Sequence, residues 1–414
     1  MNDVSREPVS ISPWPLMLIA AAILMITMGA RQSMGLFVSP LNTATGLGIV
    51  AISFVLAVGQ FTWGAAQPIF GALADRYGPE RVLMLGGLLL AVGTALTPFV
   101  SSQWALLITL GVMTAAGAGA GSFSILIGAT ARQLPPEKRA FAGGFINAGG
   151  SFGQFVFAPL NQALINAFGW VFAMVTMATT ALLTLPLARL LRNDPTTQPA
   201  AGALKAAAPP LGIGLKQQLR IAARDKSYWC LHLGFFTCGF HIAFLVTHLP
   251  GEVALCGLSA GVAAASLAII GLANIVGSLT VGALGNTYRM KYLLFWVYFT
   301  RAVAIALYLA APKTSLTFYA FALVLGLTWL STVAPTAGLV GKLFGVRYLG
   351  TLFGLTLLSH QIGGFFGAWL GGISLANTGN YTWMWYADIA LALGAALVNL
   401  PIEEKVPQFH GAPA

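Results

Sequence analysis

One stretch near the end of the second apolar segment decides how this chain is interpreted: GALADRYGPER, residues 71–81. A degenerate copy, GALGNTYRMK, follows about half a chain later at residues 282–291. In both places glycines and basic residues come directly after a long apolar run. A repeat of this kind is typical of membrane proteins built from two related halves. The repeat therefore predicts two similar halves embedded in a bilayer.

The composition supports a membrane protein. Hydrophobic residues make up 57% of the 414 residues and charged residues only 8%, whereas soluble domains carry roughly 25% charged residues. So few charges cannot cover a water-exposed surface, which excludes ordinary soluble classes. The 48 glycines fit closely packed membrane helices. The three cysteines, at residues 230, 238 and 256, show no spacing typical of a disulfide framework.

Twelve apolar stretches are long enough to cross a bilayer, which takes about 20 residues each. The predicted spans are 14–39, 48–73, 82–101, 104–130, 140–164, 168–190, 228–250, 259–283, 292–311, 315–340, 350–373 and 382–401. The first stretch lacks a cleavage site, so we interpret it as a true span and not as a signal peptide.

The distribution of Lys and Arg predicts the orientation. Apart from Arg31 and Arg301, which lie within spans, these residues fall in the two tails and in the loops after spans 2, 4, 6, 8 and 10, and only Lys313 lies on the other side. Basic residues accumulate on the cytoplasmic side of a membrane. We therefore expect a protein of the cell inner membrane with both termini in the cytoplasm. The net charge of +10 is then a topology signal, and no nucleic-acid partner is expected.

Composition also predicts the domain limits. Residues 193–215 are rich in Ala, Pro and Gly and read as a flexible linker, and residues 216–226 form either a short basic amphipathic helix or disordered chain. We predict a six-helix N-terminal bundle at 1–192, a cytoplasmic linker at 193–226 and a six-helix C-terminal bundle at 227–414.

Residues 71–81 resemble the signature loop of the major facilitator superfamily, G-x-L-a-D-r-x-G-r-r, at every key position except Pro79 and Glu80. The resemblance covers nearly the whole chain. It implies an all-α membrane protein with twelve transmembrane helices in two pseudo-symmetric six-helix bundles. It also implies a solute transporter in which one half rocks against the other around a mid-membrane site.

The resemblance gives the loop itself a role as a conformational latch between the halves on the cytoplasmic side. The matching residues are Gly71, Asp75, Arg76, Gly78 and Arg81. Asp75 can accept backbone N–H groups at a neighbouring helix N-terminus, where the helix dipole is positive. The second copy has Asn286 in place of the acid, so we expect a weaker latch there.

Few ionisable groups lie at depth, and each should face protein or a water-filled cavity because a charge in hydrocarbon costs at least about 2.5–3.5 kcal/mol. Arg31 lies about 17 residues into span 1, roughly 25 Å from the inner face at 1.5 Å per residue. In the family, spans 1, 4, 7 and 10 line the central cavity. A guanidinium there suits a carboxylate; the alternative is that Arg31 extends to the outer headgroups or pairs with a backbone carbonyl.

Arg301 in span 9 and Asp388 in span 12 lie at similar depths, and in the family these two spans pack against each other. We therefore predict an intramembrane ion pair. The alternative is that Asp388 carries protons.

Four further polar residues are candidate substrate-binding groups: Asn147, Gln154, His241 and His360. Asn147 and Gln154 share a face of span 5, which borders the cavity in the family. His241 and His360 are either proton-sensitive substrate contacts or packing residues. Cys238 and His241 are close enough to share a metal ion, but two ligands do not make a site, so no metal or other cofactor is expected.

The branch of the family is suggested by residues 31–40, RQSMGLFVSP, which resemble the end of span 1 in monocarboxylate transporters and oxalate–formate exchangers. In monocarboxylate carriers a lysine stands roughly at the position of Arg31. Those carriers also have an Asp/Arg pair in span 8, but residues 259–283 hold no charge, so either a different group or no proton couples transport. The glycine-proline pattern of drug antiporters is absent from residues 149–153, and Met113 stands where they have an arginine.

The sequence thus predicts a secondary active transporter that moves a small organic anion, a monocarboxylate or related carboxylate, by alternating access, with proton symport as one option. The alternative is a drug or small-molecule efflux transporter of the same superfamily. A membrane-embedded enzyme would need a catalytic cluster at depth, and a non-transporting sensor would need a signalling domain; the sequence favours neither. We expect no enzyme activity, an anionic substrate, a lipid bilayer as surroundings and a monomeric protein.

Overall fold

The computed structural model describes residues 13–131, 133–134, 136–191, 214–285, 287–345 and 348–404. These residues form helices joined by short turns, and no strand occurs among them. Apolar runs of this length adopt helices in lipid because a helix satisfies all its backbone hydrogen bonds within one segment.

Twelve helical spans follow one another in this part of the chain. In order they are Trp14–Thr45, Ile49–Tyr77, Pro79–Phe99, Gln103–Thr130, Pro136–Phe168, Trp170–Leu190, Lys226–Leu255, Ala260–Leu284, Met290–Ala310, Ser315–Phe344, Leu349–Thr378 and Thr382–Asn399. We number them spans 1 to 12. Their ends lie within a few residues of the predicted ones at most boundaries.

Nine of these spans, counted over the described residues, are apolar enough to qualify as membrane helices by hydropathy alone. Spans 5, 11 and 12 are 33, 30 and 18 residues long, which suffices for a span of about 17–25 residues. They are more polar because they carry groups such as Gln154, His360 and Asp388. The prediction of an all-α membrane protein with twelve spans in two six-helix bundles is confirmed.

Several spans are interrupted at depth. Span 1 changes to a 3₁₀ turn at Met34–Phe37, and span 4 contains a π-helical stretch at Leu107–Thr114. Span 10 stops at Thr328 and resumes at Val333. Pro335 contributes to this last break because proline has no N–H for the carbonyl one turn earlier. The carbonyls at the break are therefore free to accept hydrogen bonds from neighbouring spans.

Spans 7 and 11 are packed backbone to backbone through glycine. A Cβ added at Gly239 would overlap the carbonyl of His360, and one at Gly363 or Gly367 would overlap carbonyls of span 7. Only residues without a side chain permit this approach. The second bundle is thus organised around the contact between spans 7 and 11.

We expect Gly239→Ala to destabilise the protein by about 1–3 kcal/mol, the usual cost of inserting a methyl group into a packed interior. Thermal unfolding of the detergent-purified variant measures the effect. Gly394→Ala in span 12 is the matched control, because an added Cβ there meets no atom within 4 Å. Equal stability of the two variants would contradict the close packing.

The halves meet along two pairs of spans. Between spans 2 and 11, the ring of Phe54 lies 6.2 Å from that of Phe365 and 5.8 Å from that of Trp369. Between spans 5 and 8, the Asn274 amide donates a hydrogen bond of 2.8 Å to the Ser151 hydroxyl. Both contacts lie either near the middle of the spans or close to the end of the bundle where span 2 begins.

We call that end the opposite face. The other end, which carries the turns after spans 2, 4, 6, 8 and 10, is called the basic-loop face. Toward the basic-loop face the same four spans carry Gly71, Gly144, Gly282 and Gly354, and an added Cβ at each would meet nothing within 4 Å. The halves therefore join near the opposite face and separate toward the basic-loop face.

The predicted linker is described only in part, since residues 192–213 lie outside the described residues. A short helix occupies Leu215–Ala222, which agrees with the amphipathic alternative. Span 7 then begins at Lys226, with the Asp225 carboxylate accepting a hydrogen bond of 2.9 Å from the Tyr228 backbone N–H. The limits 1–192, 193–226 and 227–414 stay a prediction.

Candidate functional site

Arg31 lies in the last turn of the first helix of span 1, Pro13–Gln32. The 3₁₀ turn that follows at Met34–Phe37 ends the regular helix there. The negative end of a helix dipole stabilises a cation, which helps to hold this charge at depth. The side chain is half-buried.

The guanidinium of Arg31 is held from one side by span 2. It donates a hydrogen bond to the side-chain oxygen of Gln60 and lies over the indole ring of Trp63, 4.2 Å from its centre. Among the described residues no carboxylate lies within 4 Å of Arg31. The charge is thus oriented by neutral groups and is not neutralised by any of them.

A cavity of about 50 Å³ adjoins Arg31 between the two halves. Spans 1, 2 and 4 of the first half and span 7 of the second half line it, and the lining residues include Met34, Gly59, Thr114, Ala118, Val246 and Thr247. A water molecule needs about 10–15 Å³, so the cavity holds only a few waters in this conformation. An added Cβ at Gly35 would overlap the carbonyl of Val246, which shows how closely spans 1 and 7 approach here.

A larger concavity than the Arg31 cavity lies elsewhere. It measures about 610 Å³ and runs between spans 9 and 10, lined by apolar side chains such as Trp296, Leu307 and Leu316. These side chains are exposed on the outside of the bundle. In a membrane that surface faces acyl chains, so the groove is a lipid contact and not the candidate site.

His360 lies in span 11 close to the Arg31 cavity. Its Nδ1 is 3.3 Å from the Gln361 amide, and its ring centre is 5.0 Å from that of Phe235. A Cβ added at Gly364, one turn further along, would lie 3.8 Å from the Cβ of Gln60. Gln60 therefore touches both Arg31 and the helix that carries His360.

Gln154 and Asn147 are on span 5, away from the residues that line the cavity. Gln154 is 1% exposed, its Cβ packs against Gly271 of span 8, and neither atom of its amide has a hydrogen-bond partner among the described residues. Asn147 is half-buried two turns nearer the basic-loop face. Their role as substrate contacts stays a prediction.

The predicted Arg301–Asp388 ion pair is not formed directly. Asp388 instead contacts His241, with 2.5 Å between Oδ2 and Nδ1. The Arg301 guanidinium donates to the carbonyls of Thr328 and Trp329 at 2.5 and 3.1 Å, which the break in span 10 leaves free. The correction has a physical cause: these carbonyls, at the negative end of a helix, compete for the cation.

His241 consequently faces the interior of the second bundle. It is fully buried, and its ring centre lies 6.0 Å from that of Trp329 in span 10. The span 7 residues at the cavity are Val246 and Thr247. The structure thus separates the predicted substrate residues into Arg31 with His360 near the cavity, His241 in a buried cluster, and Asn147 with Gln154 between spans 5 and 8.

The predicted latch is described only in part, because the side chain of Asp75 lies outside the described residues. Gly78 forms the turn between spans 2 and 3 with φ of 91°, a conformation that favours glycine. Arg76 and Arg81 are exposed on the basic-loop face, and Gly71 has open space beside it. Asn286 also lies outside the described residues. The latch stays a prediction.

Sequence reasoning did not select Gln60, Trp63 and Thr247 as site residues. Gln60 is a polar group at depth, which most often only ties helices together. What distinguishes Gln60 is that it faces Arg31 of the neighbouring span. Only the packing of spans 1 and 2 determines this position, so the sequence alone does not show it.

Comparison with known proteins identifies the family. The family model "Major Facilitator Superfamily" matches residues 17–368. Monocarboxylate transporter 13 of Bos taurus is 26% identical over 398 residues, covering 94% of this chain and 89% of that protein. The oxalate:formate antiporter of Oxalobacter formigenes is 26% identical over 381 residues, covering 89% of this chain and 86% of that protein.

Solved structures show the same fold at low identity. A D-xylose-proton symporter superposes with a TM-score of 0.76 at 16% identity, covering 95% of this chain and 99% of that one. A xylose transporter from E. coli in an inward-open conformation has a TM-score of 0.72 at 16% identity, covering 94% and 96%. The family match over most of the length, together with the twelve-span fold, shows that this chain is a multi-pass membrane protein of the Major Facilitator Superfamily of transporters.

Proposed function

We propose that this protein is a secondary active transporter of small organic anions, with a monocarboxylate or related small carboxylate as its substrate. Alternating access would expose the Arg31 cavity to each side of the cytoplasmic membrane in turn. The basic-loop face and both termini would lie in the cytoplasm, as the distribution of Lys and Arg favours.

The observation that carries this proposal is the unneutralised guanidinium of Arg31 in a cavity between the halves. A half-buried cation at this depth without a carboxylate partner is costly, and an anionic ligand lowers that cost. The planar fork of a guanidinium can donate two parallel hydrogen bonds to one carboxylate. Gln60 and Trp63 hold the fork in place, so the substrate would meet a pre-oriented donor.

The shape and the relatives support a small substrate. The cavity of about 50 Å³ is enclosed near the opposite face, where Gly35 of span 1 meets Val246 of span 7. Such a space accommodates few heavy atoms unless the halves move apart. Two proteins similar to this chain are named for monocarboxylates and for oxalate and formate.

The test is counterflow in proteoliposomes that contain the purified protein. Liposomes preloaded with an unlabelled carboxylate should take up labelled formate, oxalate or lactate from outside, whereas liposomes preloaded with the neutral amide of the same acid should not. The difference arises because only the ionised group can pair with Arg31. Transport of neutral or cationic drugs, with no counterflow for any carboxylate, would contradict the proposal and favour the efflux alternative.

A further inference from the structure

A second polar cluster lies inside the C-terminal bundle, apart from the Arg31 cavity. It consists of His241 in span 7, Arg301 in span 9 and Asp388 in span 12, and each is 0% exposed. The broken part of span 10 joins them. The Trp329 carbonyl accepts from Arg301 at 3.1 Å, and the Trp329 ring lies 6.0 Å from that of His241.

The charges of this cluster balance only in one protonation state. With Arg301 cationic, Asp388 anionic and His241 neutral, the net charge is zero, which keeps the cost of burying the charges in the membrane low. The hydrogen bond of 2.5 Å between His241 Nδ1 and Asp388 Oδ2 fits a neutral imidazole that carries its proton on Nδ1. In that tautomer the lone pair of Nε2 is free to act as a base.

A second feature of the cluster is that four of its polar atoms lack hydrogen-bond partners. His241 Nε2, Asp388 Oδ1, and Arg301 Nε and Nη1 are all buried without a hydrogen-bond partner among the described residues. Buried polar atoms are normally satisfied, so four such atoms in one cluster call for an explanation, and proton exchange at His241 Nε2 supplies one. His248, on the same span, differs: its Nε2 lies 2.7 Å from the Ala368 carbonyl and its Nδ1 lies 3.3 Å from the Tyr381 hydroxyl.

The cluster is connected to the contact between the halves. The Asn274 side chain accepts a hydrogen bond of 3.0 Å from the backbone N–H of Leu330, one residue beyond Trp329 at the break. The same side chain donates to Ser151 of the first half at 2.8 Å. Movement of one half against the other would therefore displace the break in span 10, whose carbonyls accept from Arg301 and whose Trp329 ring packs on His241.

We propose that His241, oriented by Asp388 and balanced by Arg301, is the proton-binding site that couples this transporter to a proton gradient. This inference rests on the proposed function for its anion. The His241 Nε2 lone pair takes a proton from a hydronium ion: an O–H bond breaks, an N–H bond forms and water is left. The imidazolium is paired with Asp388, and the cluster charge rises by one. The same bond breaks on the other side of the membrane. One proton carried with one monoanion makes the cycle electroneutral.

Other titratable and charged groups near His241 are few. Span 7 contributes Cys238, whose thiol lies 3.2 Å from the Thr332 hydroxyl. Span 9 contributes Arg301 and Tyr298, whose hydroxyl donates to the Gly234 carbonyl at 2.6 Å. Span 12 contributes Asp388, span 11 contributes His360, and span 10 contributes only neutral groups among its described residues around Trp329. Of these, only His241 combines a free lone pair with a paired acid.

The test uses His241→Gln, which keeps a neutral hydrogen-bonding side chain beside Asp388 but removes the base. In proteoliposomes, an inward-directed proton gradient of one pH unit should let the wild type accumulate the anion about 10-fold. The reason is that transport of one proton with each anion couples the full proton gradient to the anion concentration. His241→Gln should lose this accumulation and keep carboxylate counterflow. His248→Gln is the matched control, and it should keep both activities. Accumulation by His241→Gln at the wild-type level would overturn the proposal.

Two further measurements keep the test decisive. The double variant Arg301→Met/Asp388→Asn also removes the site while keeping the cluster neutral, so it should reproduce the loss if a single variant folds poorly. The pH-induced infrared difference spectrum of the purified protein needs no substrate: its imidazole bands should lose a component in His241→Gln and not in His248→Gln. An unchanged spectrum in His241→Gln would overturn the proton site even if no carboxylate were transported, whereas absent counterflow in the wild type would overturn only the anion assignment.

Discussion

Arg31→Gln should lower carboxylate affinity by about 100-fold or more, because it removes two charge-assisted hydrogen bonds of about 1.5–3 kcal/mol each. It also leaves the cavity without a cation to offset a buried anion. Counterflow at low substrate concentration and ligand-induced thermal stabilisation both measure this loss, since the stabilisation by a bound ligand grows with the logarithm of its concentration divided by its Kd.

Two control variants make the Arg31 result interpretable. Arg31→Lys keeps the charge but loses the planar fork, so it should bind carboxylates with intermediate affinity. Arg220→Gln removes an exposed arginine of the helix Leu215–Ala222, outside both copies of the signature loop, and should transport like the wild type. Normal uptake by a folded Arg31→Gln protein would eliminate the anion site, because no other described residue places a cation in this cavity.

Arg301→Met should destabilise the protein by about 3–5 kcal/mol, the cost of leaving one member of a buried charge set uncompensated. Asp388 would then be an anion in the membrane interior with only a neutral histidine beside it, and the carbonyls of Thr328 and Trp329 would lose their donor. Thermal unfolding in detergent measures the change.

The double variant separates charge from packing. Adding Asp388→Asn to Arg301→Met removes the uncompensated anion, so part of the lost stability should return. The part that does not return reports the carbonyl hydrogen bonds at the break in span 10. If the single variant proved as stable as the wild type, or the double variant were less stable than Arg301→Met alone, the balance of charge in this cluster would be wrong.

The sequence predicted the helical framework well because the bilayer imposes it. A span needs a certain length of apolar chain, and the count of twelve held even for spans 11 and 12, where His360 and Asp388 lower the hydropathy. The breaks in spans 1, 4 and 10 were not predicted. Helical propensity says little about them, and Pro335 alone does not show where span 10 stops.

The depth of each charged residue was predictable, but its direction around the helix was not. Asp388 and Arg301 lie at similar depths. However, span 12 packs against span 7 as well as span 9, and Asp388 contacts His241 of span 7. His241 was expected at the cavity because span 7 lines it in the family. The cavity residue Val246 comes five residues later, about 140° around a helix of 3.6 residues per turn, so His241 must face elsewhere.

Arg31 was predictable as a site residue because an arginine within the bilayer is costly unless it faces protein or a water-filled cavity. Its setting was not, since Gln60 and Trp63 are defined as its neighbours only by the packing of spans 1 and 2. Which face of span 5 carries Gln154 toward span 8 was likewise beyond a single sequence, because the contact with Gly271 depends on how the halves dock.

A structure determined in the presence of a transported carboxylate would show whether Arg31 binds the substrate. We expect the carboxylate group in the Arg31 cavity within hydrogen-bond distance of the guanidinium, with Gln60 and Trp63 still in contact with Arg31. A carboxylate bound instead at Arg301 or in a cavity that Arg31 does not line would contradict it.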